Sequence, residues 1–188
     1  MEKERIILIG SGQHANVVLY NILEQNLYEV VGVLDSDDAK CGTKFNGMQV
    51  CGNYNDTHTL EYVQKELKVN KFFIGFGNMK YRKIVYEYLT FHGWEAVNII
   101  HPNAIISSIA KIGKGVLIEC GCLITPNPVI GNNVVVNTGS QINHDNVIMD
   151  HVYIASGVIL SGGVTIEENT LIDDGVIISL GKKIGKCC

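Results

Sequence analysis

No block of lysine or arginine longer than two residues occurs anywhere in the 188-residue sequence, whose formal charge is −4 and whose isoelectric point is near 5.8. The positive footprint that draws a protein to nucleic acid or to an anionic membrane is missing, and neither partner is expected. Long apolar runs are missing too. The opening MEKERIILIG offers a short one before SGQH, too brief for a signal peptide or a membrane span, so a cytoplasmic protein is expected. The six cysteines (Cys41, Cys51, Cys120, Cys122, Cys187, Cys188) form no C-x-x-C pair and have no histidine at zinc-finger spacing, so they read as reduced thiols. What the chain does have is apolar content, 46% of residues, enough at this length to bury a core in one large domain or two small ones.

Two periodicities divide it. Up to residue 99, short apolar runs alternate with amphipathic stretches: RIILIG, EVVGVLD, KFFIGFG and EAVNII read as strands. HANVVLYNILEQN, THTLEYVQKELK and YRKIVYEYLTFHG read as helices, the second capped by Asp56 or Thr57, and residues 36–56 read as a loop. Strands separated by helices imply a parallel sheet with right-handed crossovers, and hence a Rossmann-like α/β domain over residues 1–99.

From Ile100 the rule changes. Every sixth residue from Ile100 to Ile184 is Ile, Val or Leu, without one insertion, and the fourth residue after each is mostly small, as at Ala104, Val116, Cys122 and Ser140. Neither a 3.6-residue nor a two-residue period holds that register. A six-residue unit with one large and one small inward side chain is the signature of a hexapeptide β-helix over residues 100–188. Three units make one triangular coil, so residues 18 apart stack at one strand spacing, about 4.8 Å.

Inside this repeat stands the triplet Asn143-His144-Asp145, at a corner between two faces. Asp145 can accept a hydrogen bond from one imidazole nitrogen, which fixes the tautomer and leaves the other nitrogen as a base. The 18-residue step puts Gly162 and Gly163 over the pair, leaving room above the ring and a backbone N–H at Gly162 for a developing oxyanion. A base, its orienting acid, an open slot and a donor point to acyl transfer. In the other half, GSGQHA (Gly10 to Ala15) follows a strand, precedes a helix and is matched by Asp35 at the end of the next strand. Such a loop brings its backbone and a helix N-terminus to a diphosphate, which serves NAD or a UDP-sugar alike; a tight turn without ligand gives the same sequence.

The stretches IILIGSGQHANVV, VVGVLDSD, FIGFGNMKYRKIV and VVVNTGSQINHDNVIMDHVYIASGVILSGGVTI resemble the bacterial hexapeptide-repeat acetyltransferases that modify nucleotide-linked amino sugars or sialic acids. The resemblance covers nearly the whole chain and implies a left-handed coil. It also implies His144 as catalytic base, Asp145 as its acidic partner and Gly162 as oxyanion donor. Sugar-nucleotide contacts then fall on Gly12, Gln13, His14, Asp35, Ser36 and Gly77, and acetyl-CoA lies along the β-helix between subunits of a homotrimer, touching Tyr153 and Asp174. The implied reaction is direct acetyl transfer to a UDP-linked 4-amino sugar for surface glycans, with no metal.

Departures from the family pattern are Tyr153, where a histidine near the thioester is common, and Asp173 and Asp174 along the coenzyme A groove, where small or apolar residues are usual. The sequence also stops at GKKIGKCC, where the family ordinarily continues for about one more coil; a solvated basic end with Lys182, Lys183 and Lys186 is expected. Competing expectations are O-acetylation of sialic acid or another sugar, a non-catalytic sugar-nucleotide-binding subunit, and an NAD-dependent oxidoreductase. The γ-class carbonic anhydrases share the prism but need three zinc-binding histidines; His144 and His151 stand at non-equivalent hexad positions and no third histidine completes a set.

Overall fold

The computed structural model describes residues 2–186 and divides into two compact units, residues 2–77 with 85–97 and residues 78–84 with 98–186. The expectation for Cys187 and Cys188 lies outside the described residues; Cys41, Cys51, Cys120 and Cys122 carry free thiols. Among the described residues no helix is long and apolar enough to cross a membrane.

The first unit is a six-stranded sheet flanked by helices. Strands β1 (Glu4–Ile9), β2 (Tyr28–Asp35), β3 (Lys44–Phe45), β4 (Met48–Asn53), β5 (Lys71–Ile74) and β6 (Glu95–Ala96) take the order β3-β4-β2-β1-β5-β6. Ile6 to Ile9 of β1 are wholly buried, as a parallel strand covered on both faces must be. Helix α1 (Gln13–Gln25) ends on Asn26 in the left-handed conformation, and α2 (Thr57–Glu66) is capped by Asp56, whose carboxylate accepts the amides of His58 and Thr59. A third helix, α3 (Met79–Phe91), is divided, its first turns grouping with the second unit.

Two expectations need correction here. The stretch 36–56 is no simple loop: β3 and β4 form an antiparallel hairpin, and β4 then runs parallel to β2. Its turn is Asn46-Gly47, both with positive φ, the dipeptide that a tight hairpin favours. EAVNII is not one strand either. Glu95–Ala96 pairs with β5, whereas Asn98 already belongs to the coil, its side chain accepting the Val116 amide at 3.0 Å and donating to the Gly113 carbonyl at 2.7 Å.

The second unit is a left-handed parallel β-helix of two-residue strands on three faces. The first face runs from Ile99–Ile100 to Leu171–Ile172, the second from Ile105–Ile106 to Ile177–Ile178, and the third from Lys111–Ile112 to Lys183–Ile184. Each strand pairs with the one 18 residues on, as Leu123↔Gln141↔Ile159 shows on the second face. The second residue of every strand points inward, and from Ile118 to Ile166 these are at most 2% exposed. Burying one such side chain contributes roughly 1.5–3 kcal/mol, so the column holds the coil together. The small inward positions that are polar are satisfied: Ser140 donates to the Ala155 carbonyl at 2.7 Å, and Asn146 accepts the Val164 amide at 2.6 Å.

Most corners turn through a residue in the left-handed region, the third after each inward aliphatic, as at Gly121, Asn127, Asn133, Gly139, Asp145 and His151. Gly, Asn and Asp tolerate that region best, which explains the corner composition. At the far end Lys183 pairs with Glu167 and Lys186 with Glu168, exposed bridges of little energetic weight.

Candidate active site

His144 and Asp145 form the turn between the second and third faces. The His144 ring is 61% exposed, and its Nδ1 lies 2.9 Å from Asp145 Oδ2. An ionised carboxylate only accepts, so Nδ1 is the donor and Nε2 keeps its lone pair. The hydrogen bond from His144, then one from Asn127, holds the Asp145 carboxyl below the usual carboxylate range. Asn127 sits one coil beneath, and its Nδ2 donates to Asp145 Oδ1 at 2.6 Å.

Gly162 stands one coil above, buried, and a Cβ placed there would collide with Cε1 and Nε2 of His144. The slot expected over the histidine is therefore occupied by the ring itself, and glycine is needed so that Nε2 can lie against the backbone. Gly163 N–H donates to the His144 carbonyl at 2.9 Å, fixing the stack, while Gly162 N–H meets no acceptor among the described residues. The corner thus offers a base nitrogen and an uncommitted N–H side by side.

Tyr153 and Asp174 are not on this corner. Tyr153 points outward from the first face, where Asn137 Nδ2 donates to its hydroxyl at 3.0 Å. Asp174 lies at the turn between the first and second faces and accepts the Ser156 amide at 2.9 Å, and Asp173 accepts the Asp174 amide. Both carboxylates are thus partly engaged by backbone donors, which moderates the charge expected along that edge.

The glycine loop lies at the carboxyl edge of the first unit's sheet, where β1, β2 and β5 all end. Gly10 adopts φ +97° against Phe76, while Gly12 and Gln13 are exposed at the start of α1 and His14 is half-buried. Asp35, 6% exposed, accepts Ser11 N at 2.8 Å, Ser11 Oγ at 2.5 Å, Asp37 N at 3.1 Å and Lys40 Nζ at 3.0 Å. Burial would raise its carboxyl, but those hydrogen bonds outweigh it and leave the value lowered. Asp35 therefore braces the loop from within the protein. Ser36 is exposed beside it, and Gly77 follows β5, half-buried.

A PglD N-terminal domain matches residues 5–89. The chain is 31% identical over 124 residues to GDP-perosamine N-acetyltransferase of Escherichia coli O157:H7, a match covering 64% of this chain and 53% of that protein. It superimposes with a TM-score of 0.84 and 25% identity on the acetyltransferase domain of PglB from Neisseria gonorrhoeae FA1090 in complex with acetyl coenzyme A, over 98% of this chain and 86% of that one. The chain is similar to sugar acetyltransferases, in fold along nearly its whole length and in sequence over part of it. A mutant form of perosamine N-acetyltransferase from Caulobacter crescentus, in complex with CoA and GDP-perosamine, shares the fold of this chain at a TM-score of 0.81 and 23% identity, over 95% and 90% of the two. The match to the curated acetyltransferase spans about half of that protein's length.

Two features lie outside the sequence expectations. Lys40 reaches Asp35 from five residues on, with no pattern to announce it. Asn127 had a signal: the 18-residue step that sets Gly162 over His144 also sets Asn127 under Asp145.

Proposed function

We propose that this chain transfers the acetyl group of acetyl-CoA to the amino group of a nucleotide-linked sugar, a UDP-linked 4-amino sugar being the substrate expected. The observation that carries the reading is the His144 ring held by Asp145 at 2.9 Å with its Nε2 turned against the backbone of Gly162. Nε2 takes the proton released as the sugar nitrogen attacks the thioester carbonyl. Gly162 N–H donates to the oxygen that becomes negative, and the imidazolium returns the proton to the departing coenzyme A sulfur. The N–C bond forms as the C–S bond breaks, and no acyl-enzyme is needed.

Residues 1–99 hold the sugar nucleotide through Gly12, Gln13, His14, Ser36 and Gly77, with Asp35 supporting the loop, and residues 100–188 carry out the transfer. A homotrimer supports this division. The two faces flanking His144 expose aliphatic side chains, Ile105 and Ile177 at 69% and 67% and Val129 and Val147 beside them, as surfaces awaiting a second copy do. In such an assembly Tyr153 and Asp174 of one subunit line the coenzyme A path to His144 of the next.

Thiol release from acetyl-CoA in the presence of UDP- and GDP-linked amino sugars tests the reading, with His144→Ala as the control. Turnover with an amino sugar that His144→Ala abolishes is expected. Equal silence of both proteins across the panel, with sugar nucleotide still bound, would overturn it in favour of a binding subunit.

A further inference from the structure

The carboxylate that orients His144 is itself 58% exposed, and a single hydrogen bond to the imidazole leaves it free to turn about its own axis. Its second oxygen is taken from below by Asn127, in the left-handed region like Asp145 (φ 70° and 59°), at the corresponding corner of the preceding coil. Strand pairs on both sides of the turn, Leu123↔Gln141 and Val129↔Val147, hold the two corners in register. The sequence around it is Thr125-Pro126-Asn127-Pro128, and it contains two of the chain's three prolines. Pro126 presets φ at the first turn position and Asn supplies the positive φ at the second, so the amide is presented by a turn with little freedom to lose. The Pro126 carbonyl also accepts the Asp145 amide, at 3.3 Å, tying the same two corners through the backbone.

Resting on the reading of His144 as the base, we propose that Asn127 is a positioning residue: its amide fixes the plane of the Asp145 carboxylate, and so the Nδ1–H tautomer and the aim of Nε2. The amide is suited to this because it donates to a carboxylate without adding charge. A carboxylate at 127 would have the same shape and the opposite effect, since two stacked acids repel.

The test compares Asn127→Gly, which keeps the positive φ and removes the amide, with Asn127→Asp, which keeps the shape and removes the donor. Both are expected to lower kcat about tenfold or more, with KM for acetyl-CoA and sugar nucleotide within about twofold, since a loosened base costs rate and not binding. The ¹⁵N signals of the His144 ring, read at neutral pH without substrate, are expected to show one dominant Nδ1–H tautomer in the native protein and a mixture in both variants. Wild-type kcat in Asn127→Asp, or an unchanged ring spectrum in both variants, would overturn the positioning role while leaving the base assignment intact. If the native protein transfers no acetyl group, the proposed function fails, and the ring spectra alone still decide whether Asn127 sets the tautomer.

Discussion

His144 and His151 stand on neighbouring corners of one β-helix, seven residues apart, and their surroundings are opposite. His144 is exposed, pairs with an acid beside it and lies under a glycine. His151 is 9% exposed and has positive φ; its Nδ1 is 2.9 Å from Asn133 Nδ2, and Asn133 Oδ1 accepts from Arg82 at 2.9 Å. Burial pushes the Arg82 guanidinium down to about 10, still a cation at neutral pH. The first corner keeps a lone pair on an exposed ring, set against the Gly162 backbone; the second spends its polar groups on anchoring Asn78–Ile84 to the coil. The environment of a histidine in a repeat corner is thus set by what is packed over it.

The largest contrast is expected from the same substitution at both corners. His144→Asn should lower acetyl transfer by about 10²–10⁴-fold, the usual loss for a general base, whereas His151→Asn, which suits the left-handed region, should leave kcat unchanged. Steady-state thiol release on the two proteins decides it, and equal losses would erase the distinction.

Next in size, Gly162→Ala should reduce kcat about a hundredfold by forcing the ring aside, with thermal stability nearly retained because Gly162 needs no positive φ. Paired kinetics and melting curves check this.

Arg82→Met keeps volume but strips a buried charge-assisted hydrogen bond. It should cost about 1.5–3 kcal/mol, with Tm falling roughly 2–4 °C per kcal/mol and turnover per folded molecule unchanged. A variant that melts normally but loses activity would assign Arg82 to the reaction and not to the scaffold.

The smallest effect concerns the first unit. Because the folded Asp35 carboxyl is lowered, its stabilisation is present above the ordinary carboxylate value, about 3.9, and is lost as pH falls through the folded value beneath it. Asp35→Asn should therefore be less stable than the native protein at pH 6, and the gap should narrow as pH falls below the ordinary carboxylate value in denaturant titrations.

Much of this was legible beforehand. The six-residue register from Ile100 to Ile184 fixed which residues stack, and with them the His144–Gly162 juxtaposition, because a repeat without insertions turns sequence distance into spatial distance. The Asn46-Gly47 hairpin was missed: the dipeptide favours a tight turn, but its short flanking strands carry too little apolar pattern to show against a loop. Nothing in the local pattern announced the hydrogen bonds that Asp35 accepts, since they depend on Ser11 and Lys40 converging from separate elements.

The sequence by itself determined the two periodicities, the stacking partners and the corner positions that turn through positive φ, all set by short-range sterics and a repeating apolar interval. Only the tertiary structure decided which corner is covered and which is open, whether the slot over His144 is empty space or holds the ring, and that the tyrosine and aspartate of the first face and its edge lie away from His144. Those depend on long-range contacts, such as Asn78–Ile84 settling on the coil, whose partners no periodicity encodes.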